Sequence, residues 1–257
     1  TASLIYLLAA KQATASPRPP PVEGVRREAG RAITRGDTTQ KKIAVVFTGD
    51  EFAEGGDFII KTFRQHNTKA SFFFTGRFYR NAAFKNIIQQ LKKDGHYLGA
   101  HSNDHLLYCD WNKRDSLLVT QKQFDNDLLK NYAAMSGFGI KKKDAGFFLP
   151  PYEWYNDTIA SWTKAFGLQL INFTPGTRSN ADYTAPGQKN YKGSQEIYDS
   201  IIQYEKERPA GLNGFILLVH IGAGPKRTDK FYRQLPLLLA YLKAKQYRLV
   251  TIPDLLK

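Results

Sequence analysis

One cysteine, Cys109, stands in 257 residues, so the chain can form no disulfide with itself and cannot build a cysteine-rich metal site. No stretch reaches the roughly 20 apolar residues that a membrane-spanning helix needs. Residues 2–10 are apolar but too short to span, have no basic flank before them and follow Thr1 rather than Met. They are expected to be the trailing helix of an upstream domain or the remains of a processed leader. No helix-turn-helix, zinc-finger or aromatic RNA-binding signature accompanies the basic residues, which argues against nucleic acid as the partner. The net charge of +14 still implies attraction to something anionic, although the densest run, residues 141–143, reads as a solvated loop. Disorder is excluded as the overall class, because 42% hydrophobic and 13% aromatic content over this length can bury a full core.

What is present is a rhythm. Residues 16–21 read Ser-Pro-Arg-Pro-Pro-Pro, a semi-rigid spacer whose fixed φ angles favour extended chain. Residues 25–40 are polar and basic and are expected to form an arm ahead of the first strand, which places a domain boundary between 41 and 42. From Lys42 onward, short apolar runs alternate with amphipathic stretches. Strands are expected at 43–47, 71–74, 97–100, 145–149, 168–171, 215–219 and 248–250. Helices are expected around 58–63, 84–91, 114–134, 156–166, 194–207 and 231–245. Seven such runs imply an α/β fold, a mostly parallel sheet closed or nearly closed into a distorted (β/α) barrel over residues 42–257.

The chemistry-bearing groups fall just after these runs. His101 and His105, four positions apart, can face one divalent ion from a helical turn or a tight loop, and Asp50 can supply a third ligand. Asp50, His101, residues 150–152 and His220 each follow a different expected strand. Right-handed crossovers would gather these strand ends on one face, where ligands bind in folds of this class. His66 and His96 are expected to be structural.

These residues resemble the polysaccharide deacetylases, the family four carbohydrate esterases with a NodB-homology domain, over about 42–256. The family's T-F-D-D falls on Phe47-Thr48-Gly49-Asp50, and its H-S/T-x-x-H is met by His101, Ser102 and His105. Its R-x-P-Y appears as Leu149-Pro150-Pro151-Tyr152, and its leucine-rich strand ending in His as Leu217-Leu218-Val219-His220. The resemblance implies that Asp50, His101 and His105 hold a divalent metal. It makes the Tyr152 N–H an oxyanion donor and His220 the general acid. The family's base Asp is replaced by Gly49 and the Arg that orients that base by Leu149. No clear counterpart of the Asp that tethers this Arg stands in 172–183, although Asp182-Tyr183 is loosely like its ending. These losses are coupled, since an Arg without its carboxylate partner would be a costly buried cation. They point to a variant branch that keeps its ligands.

The expected activity is metal-dependent hydrolysis of N- or O-linked acetyl groups from a carbohydrate polymer or oligosaccharide, with zinc as the metal. Cobalt or nickel would suit the same ligands. Glu51 is the first candidate for the missing base, with Glu153 and Asp104 as alternatives; a one-residue slip would instead make Asp50 the base and Glu51 the ligand. Tyr152, Pro151, Trp154 and Asp182 are expected to contact substrate. Tyr108, Trp111, Trp154 and Tyr155 could stack on sugar rings or pack beneath loops. Substrates of this kind lie outside the cytoplasm, so export is expected. The rivals are an inactive carbohydrate-binding module that keeps the barrel, and a basic protein that binds polyanions without a site.

Overall fold

The structure, a computed structural model, describes the strand β1 (Arg26–Arg27) and residues 32–257. Expectations for residues 1–15 and for the Pro-rich stretch 16–21 lie outside the described residues. The order continues with β2 (Ile33–Arg35), β3 (Lys42–Gly49), α1 (Gly56–Gln65), β4 (Ser71–Phe74), α2 (Gly76–Arg80), α3 (Lys85–Lys93) and β5 (Tyr97–Ala100). There follow α4 (Gln121–Ser136), β6 (Phe147–Phe148), α5 (Asp157–Ala165), β7 (Gln169–Leu170), α6 (Ser194–Glu207), β8 (Phe215–His220), α7 (Leu235–Ala244), β9 (Arg248–Leu249) and α8 (Ile252–Leu255). No helix among the described residues is long and apolar enough to cross a membrane.

Apolar residues run without interruption from Ile43 to Phe47 in β3 because both of its faces are covered. Ile43, Val45 and Phe47 join the large outer core between sheet and helices, where Phe47 stacks on Phe72 at 4.8 Å. Ala44 and Val46 join a smaller inner core with Phe73, Leu149, Ile171, Ile216 and Leu218. Ile252 and Leu255 of α8 enter the same inner cluster, and the Ile252 N–H donates to Ser71 Oγ at the start of β4. That helix therefore plugs the end of the barrel opposite the strand carboxyl ends.

The sheet order is β1-β2-β8-β3-β4-β5-β6-β7, with β9 pairing the start of β3. The seven expected strands are all present and run parallel, in a sheet bent into a nearly closed barrel. The expected basic arm is corrected in part: Ile33–Arg35 is a strand, antiparallel to β8. It also closes the ring, through a parallel bridge from Ile33 to Ile171 and the Asn172 N–H donating to Ile33 O at 2.9 Å. Arg35 misled a reading based on polarity, because it is buried. Its guanidinium donates to the carbonyls of Asn213 and Gly211, both at 2.8 Å, and lies over the Phe215 ring. A buried cation is tolerated when its donors are satisfied in this way.

The helix expected from 114 starts later, at Gln121. There Thr120 and Gln123 form a capping box, whereas Asp110 Oδ1 accepts from the N–H groups of Asn112 and Lys113 and holds the preceding segment as a turn.

Closure depends on Thr174, whose Oγ1 accepts from the Ile216 N–H at 2.9 Å and donates to Thr34 O at 2.5 Å. Thr174→Val keeps the shape but strands the buried Ile216 N–H. It should cost about 1–3 kcal/mol in urea unfolding, and an unchanged midpoint would show that this seam does not hold the barrel.

Candidate active site

A cleft of about 620 Å³ opens at the strand carboxyl ends, and Thr48, Asp50, Glu51, His101, His105, Trp111, Tyr152, Glu153, Tyr183 and His220 all line it. The expected convergence is therefore real. Each group gets there by a local device. The loop that carries His101 and His105 is gripped from α4: the Asn103 and Asp104 N–H groups donate to the two oxygens of buried Asp127, at 2.9 and 3.0 Å. The His101 N–H donates to Phe74 O and to Asn131 Oδ1. So the pair sits on a tight loop, with Ser102 and His105 at positive φ (73° and 53°).

Tyr152 and Glu153 are also both left-handed, at φ 59° and 54°. Left-handed side-chain-bearing residues cost on the order of 1–3 kcal/mol each and persist where the surroundings enforce them. Here Pro150 and Pro151 fix the approach, and Asn172 Nδ2 donates to Glu153 O at 2.8 Å.

His101 Nδ1 lies 2.7 Å from Leu149 O, and since a carbonyl only accepts, Nδ1 carries the proton and Nε2 keeps its lone pair. Burial holds His101 well below the usual imidazole range, with the neighbouring His105 adding to the effect. His105, whose ring is 5.1 Å from that of His101, is pushed down to about 4. Burial is again the main cause, opposed by the Asp50 charge and reinforced by Arg77. Both imidazoles are thus neutral, the form that ligates metal.

Asp50 lines the same cleft but is already engaged. Its Oδ1 accepts from Thr75 Oγ1 at 2.8 Å and from Arg77 Nε at 3.1 Å, and its Oδ2 from Arg77 Nη2 at 2.5 Å. Among the described residues no group of three or more His, Cys, Asp or Glu side chains is placed to hold a metal ion. The structure brings the expected ligands Asp50, His101 and His105 to one cleft, with the Asp50 carboxylate hydrogen-bonded to Thr75 and Arg77. The donor chemistry fits a divalent ion, and Arg77 is the obstacle.

The other half of the cleft is charged. His220 Nδ1 lies 2.6 Å from Asp182 Oδ1, and the His220 N–H donates to Asp182 Oδ2 at 2.8 Å. Burial works against the imidazolium, but Asp182, through its charge and its hydrogen bond, together with Glu153, raises the His220 pKa above its ordinary value. Glu153 is pushed up to about 7 by burial, with His220 pulling it down and Asp182 pushing it up.

Several expected contacts move. Asp182 is buried, with its carboxylate hydrogen-bonded to His220 rather than presented to the cleft. Pro151 is buried and shapes the turn. Trp154 donates from Nε1 to Asp110 O and stacks under Arg114, while its neighbour Trp111, 52% exposed, faces the cleft. With Tyr152 and Tyr183, 44% and 48% exposed, Trp111 gives the cleft an aromatic rim. Tyr108 and Tyr155 are fully buried. Glu51 and Asp104 are both exposed, Glu51 at the cleft rim. His96 is structural as expected, its Nδ1 accepting from the Ala70 N–H.

Gly49 is not a vacancy on the cleft side. A Cβ there would come within 2.8 Å of Ile221 Cγ2 and 2.9 Å of ring carbons of Phe74 and Phe78, so a side chain at 49 points into the outer apolar layer. The neighbour facing the cleft is Thr48, 2% exposed, whose Oγ1 has no hydrogen-bond partner. Thr48, Arg77 and the role of Asp182 escape sequence reasoning. Arg77 alone left a signal there, a basic residue directly after a strand end in Thr75-Gly76-Arg77.

Fold and cleft together define a deformed (β/α) barrel with an imidazole- and carboxylate-lined mouth. The family model for polysaccharide deacetylase matches residues 35–171, more than half of the chain, and the chain belongs to that family. A peptidoglycan-N-acetylglucosamine deacetylase of Bacillus cereus is 26% identical over 219 residues, covering 85% of this chain and 89% of its own. A second deacetylase of that name from the same organism is 23% identical over 224 residues, 86% of this chain and 70% of its own. Among solved structures, a family 4 carbohydrate esterase of Bacillus subtilis superposes with TM-score 0.68 at 22% identity, over 88% of this chain and 85% of its own. A CE4-family pseudoenzyme of Bacillus anthracis superposes with TM-score 0.68 at 18% identity, over 90% and 70%. The fold is that of this family.

Asp182→Asn should lower the His220 pKa below the ordinary imidazole value of about 6.5, because the burial penalty stays while the compensating charge goes. Imidazole NMR titration reads this directly, and a pKa that stays raised would place the cause elsewhere.

Proposed function

We propose that the protein removes acetyl groups from an acetylated glycan, an N-acetylhexosamine polymer of the peptidoglycan type being the first candidate. The names of the Bacillus cereus relatives support that choice of substrate. The observation that carries the reading is the His220–Asp182 pair at 2.6 Å with Glu153 beside it in the cleft. Glu153 takes precedence over Glu51 and Asp104 as the base. It is half-buried in the cleft wall on the side of the acid, and its raised pKa suits proton transfer near neutrality.

In hydrolysis, Glu153 takes a proton from the attacking water as the water oxygen bonds to the acetyl carbon. The Tyr152 N–H donates to the developing oxyanion. The bond to the amine or alkoxide then breaks, and His220, whose protonated form Asp182 favours, gives its proton to the leaving atom. Acetate and the free amine or hydroxyl result. His101 and His105, with Asp50 once free of Arg77, would hold a divalent ion, zinc by ligand type, which when bound acidifies water and polarises the acetyl carbonyl. The aromatic rim of Trp111, Tyr152 and Tyr183 suits sugar rings. Such substrates lie outside the cytoplasm, so the working location is taken as the cell exterior.

Acetate release from peptidoglycan, chitooligosaccharides and acetylated xylan tests this, with His220→Ala and Glu153→Gln as controls. Glu153→Gln should lower kcat about 10²- to 10⁴-fold. The wild-type rate should rise through pH about 7, where Glu153 ionises, and fall above the raised pKa of His220. Glu153→Gln should lose the rising limb. It should also raise Tm more at pH 8 than at pH 5, because a carboxyl whose pKa is raised on folding costs stability that builds from its ordinary value of 4.5 up to about 7 and is complete above that. The binding-module reading is favoured by the missing side chain at Gly49 and the likeness to a pseudoenzyme. Glycan binding without acetate release across that panel would establish it.

A further inference from the structure

We propose that Arg227 is a positioning residue for the His220–Asp182 pair, a role that rests on the reading of that pair as the proton donor of the cleft. Its buried guanidinium ties the segment that carries Asp182 to the loop that follows His220, and so keeps the carboxylate on the imidazole.

His220 ends β8, whereas Asp182 comes from the irregular stretch between β7 and α6. Backbone groups in such a stretch have no ladder to satisfy them and need other partners. Three consecutive residues there bear on the pair. Asp182 accepts from the His220 N–H at 2.8 Å and lies 2.6 Å from its Nδ1, and the Tyr183 ring is 5.1 Å from the His220 ring. The buried Thr184 then accepts at its carbonyl oxygen from Arg227 Nη1 at 2.6 Å. Arg227 itself lies in the loop between β8 and α7, seven residues after His220. Its Nε donates to Asp229 O at 2.5 Å, and its Nη2 donates to Ser194 Oγ, in the first turn of α6, at 3.3 Å. The guanidinium also lies 5.2 Å over the Tyr191 ring. One fork thus touches both segments at once. Its counter-ion Asp229, 3.6 Å away, is fixed in turn by the Ser194 N–H at 2.5 Å and the Tyr191 hydroxyl at 3.3 Å. A buried guanidinium is costly unless its donors are used, and its planar fork fixes the directions in which they point, so the arrangement defines the path of both segments. Arg227 is wholly buried and does not line the cleft, so it acts on the site through residues 182–184.

Imidazole NMR titration of the full chain reads the pair without any activity, with the His220 signal assigned by its loss in His220→Ala. Positioning and a direct charge effect differ in sign. Arg227→Met frees Asp182 from its hold and should lower the His220 pKa by about one unit, the lower end of what a neighbouring carboxylate supplies. A guanidinium acting on His220 through its charge alone would give a rise instead, and a residue that serves only stability would leave the folded protein's value unmoved. Arg227→Lys keeps the charge and loses the fork, so it should fall between Arg227→Met and wild type. Circular dichroism identifies the folded variants, and Arg227→Lys carries the test if Arg227→Met does not fold. An unchanged or raised His220 pKa in the folded variants overturns the positioning role. Acetate release, assayed in parallel, should show kcat lowered about 10- to 100-fold in Arg227→Met with KM little changed. A lowered pKa with kcat as in wild type upholds the positioning role and overturns the reading of His220 as the acid.

Discussion

Strand β3 bonds in parallel to β8 on one side and to β4 on the other, and its alternation decides what the cleft contains. Phe47 and Gly49 turn to the helices, while Thr48 and Asp50 turn to the mouth. Thr48 stands in register with His220 on β8, so the pairing that builds the barrel also sets the first polar group of the cleft beside the imidazole of the opposite half. A one-residue slip would reverse every one of these assignments. The core forbids it, because Ile43, Val45 and Phe47 would then face the narrow barrel interior.

Around that strand the cleft divides into two electrostatic halves. On one side, burial keeps His101 and His105 neutral, and the nearby charges of Asp50 and Arg77 are spent on each other. On the other, Asp182 outweighs burial and raises the His220 pKa above its ordinary value, while burial pushes Glu153 up to about 7. Neutral donors suit a cation and a proton-bearing imidazole suits proton delivery, so the two halves differ in the chemistry they can support. The left-handed Tyr152 and Glu153 lie between them, in a turn enforced by two prolines and an Asn172 hydrogen bond. Backbone strain there is the cost of presenting an aromatic ring and a carboxyl to the same cleft.

Two positions where the sequence departs from the family's pattern are filled by packing in this structure. Leu149 occupies the position of the family's Arg; its side chain lies in the inner apolar core, and its carbonyl fixes the tautomer of His101. Gly49 faces ring carbons of Phe74 and Phe78. Both positions have been absorbed into packing. A charge placed at either would be set among apolar side chains.

The sequence by itself determined the seven parallel strands and the histidine pair, because these follow from local periodicity and from spacings of a few residues. Residues 97–100 and 215–219 are apolar runs whatever their neighbours, and a residue just after such a run reaches the barrel mouth by topology. Ile33–Arg35 was illegible, since Arg35 reads as solvent-facing until the carbonyls of Gly211 and Asn213 are brought to it. Only the tertiary structure decided the ionic partners. Asp50 and Arg77 are 27 residues apart, Asp182 and His220 are 38 apart, and in each case one member comes from a loop or helix end whose composition reads simply as polar. Charge pairing acts through space and leaves no period along the chain. The state of the cleft, which imidazole is charged and which carboxylate is free, therefore became visible only once the barrel had closed.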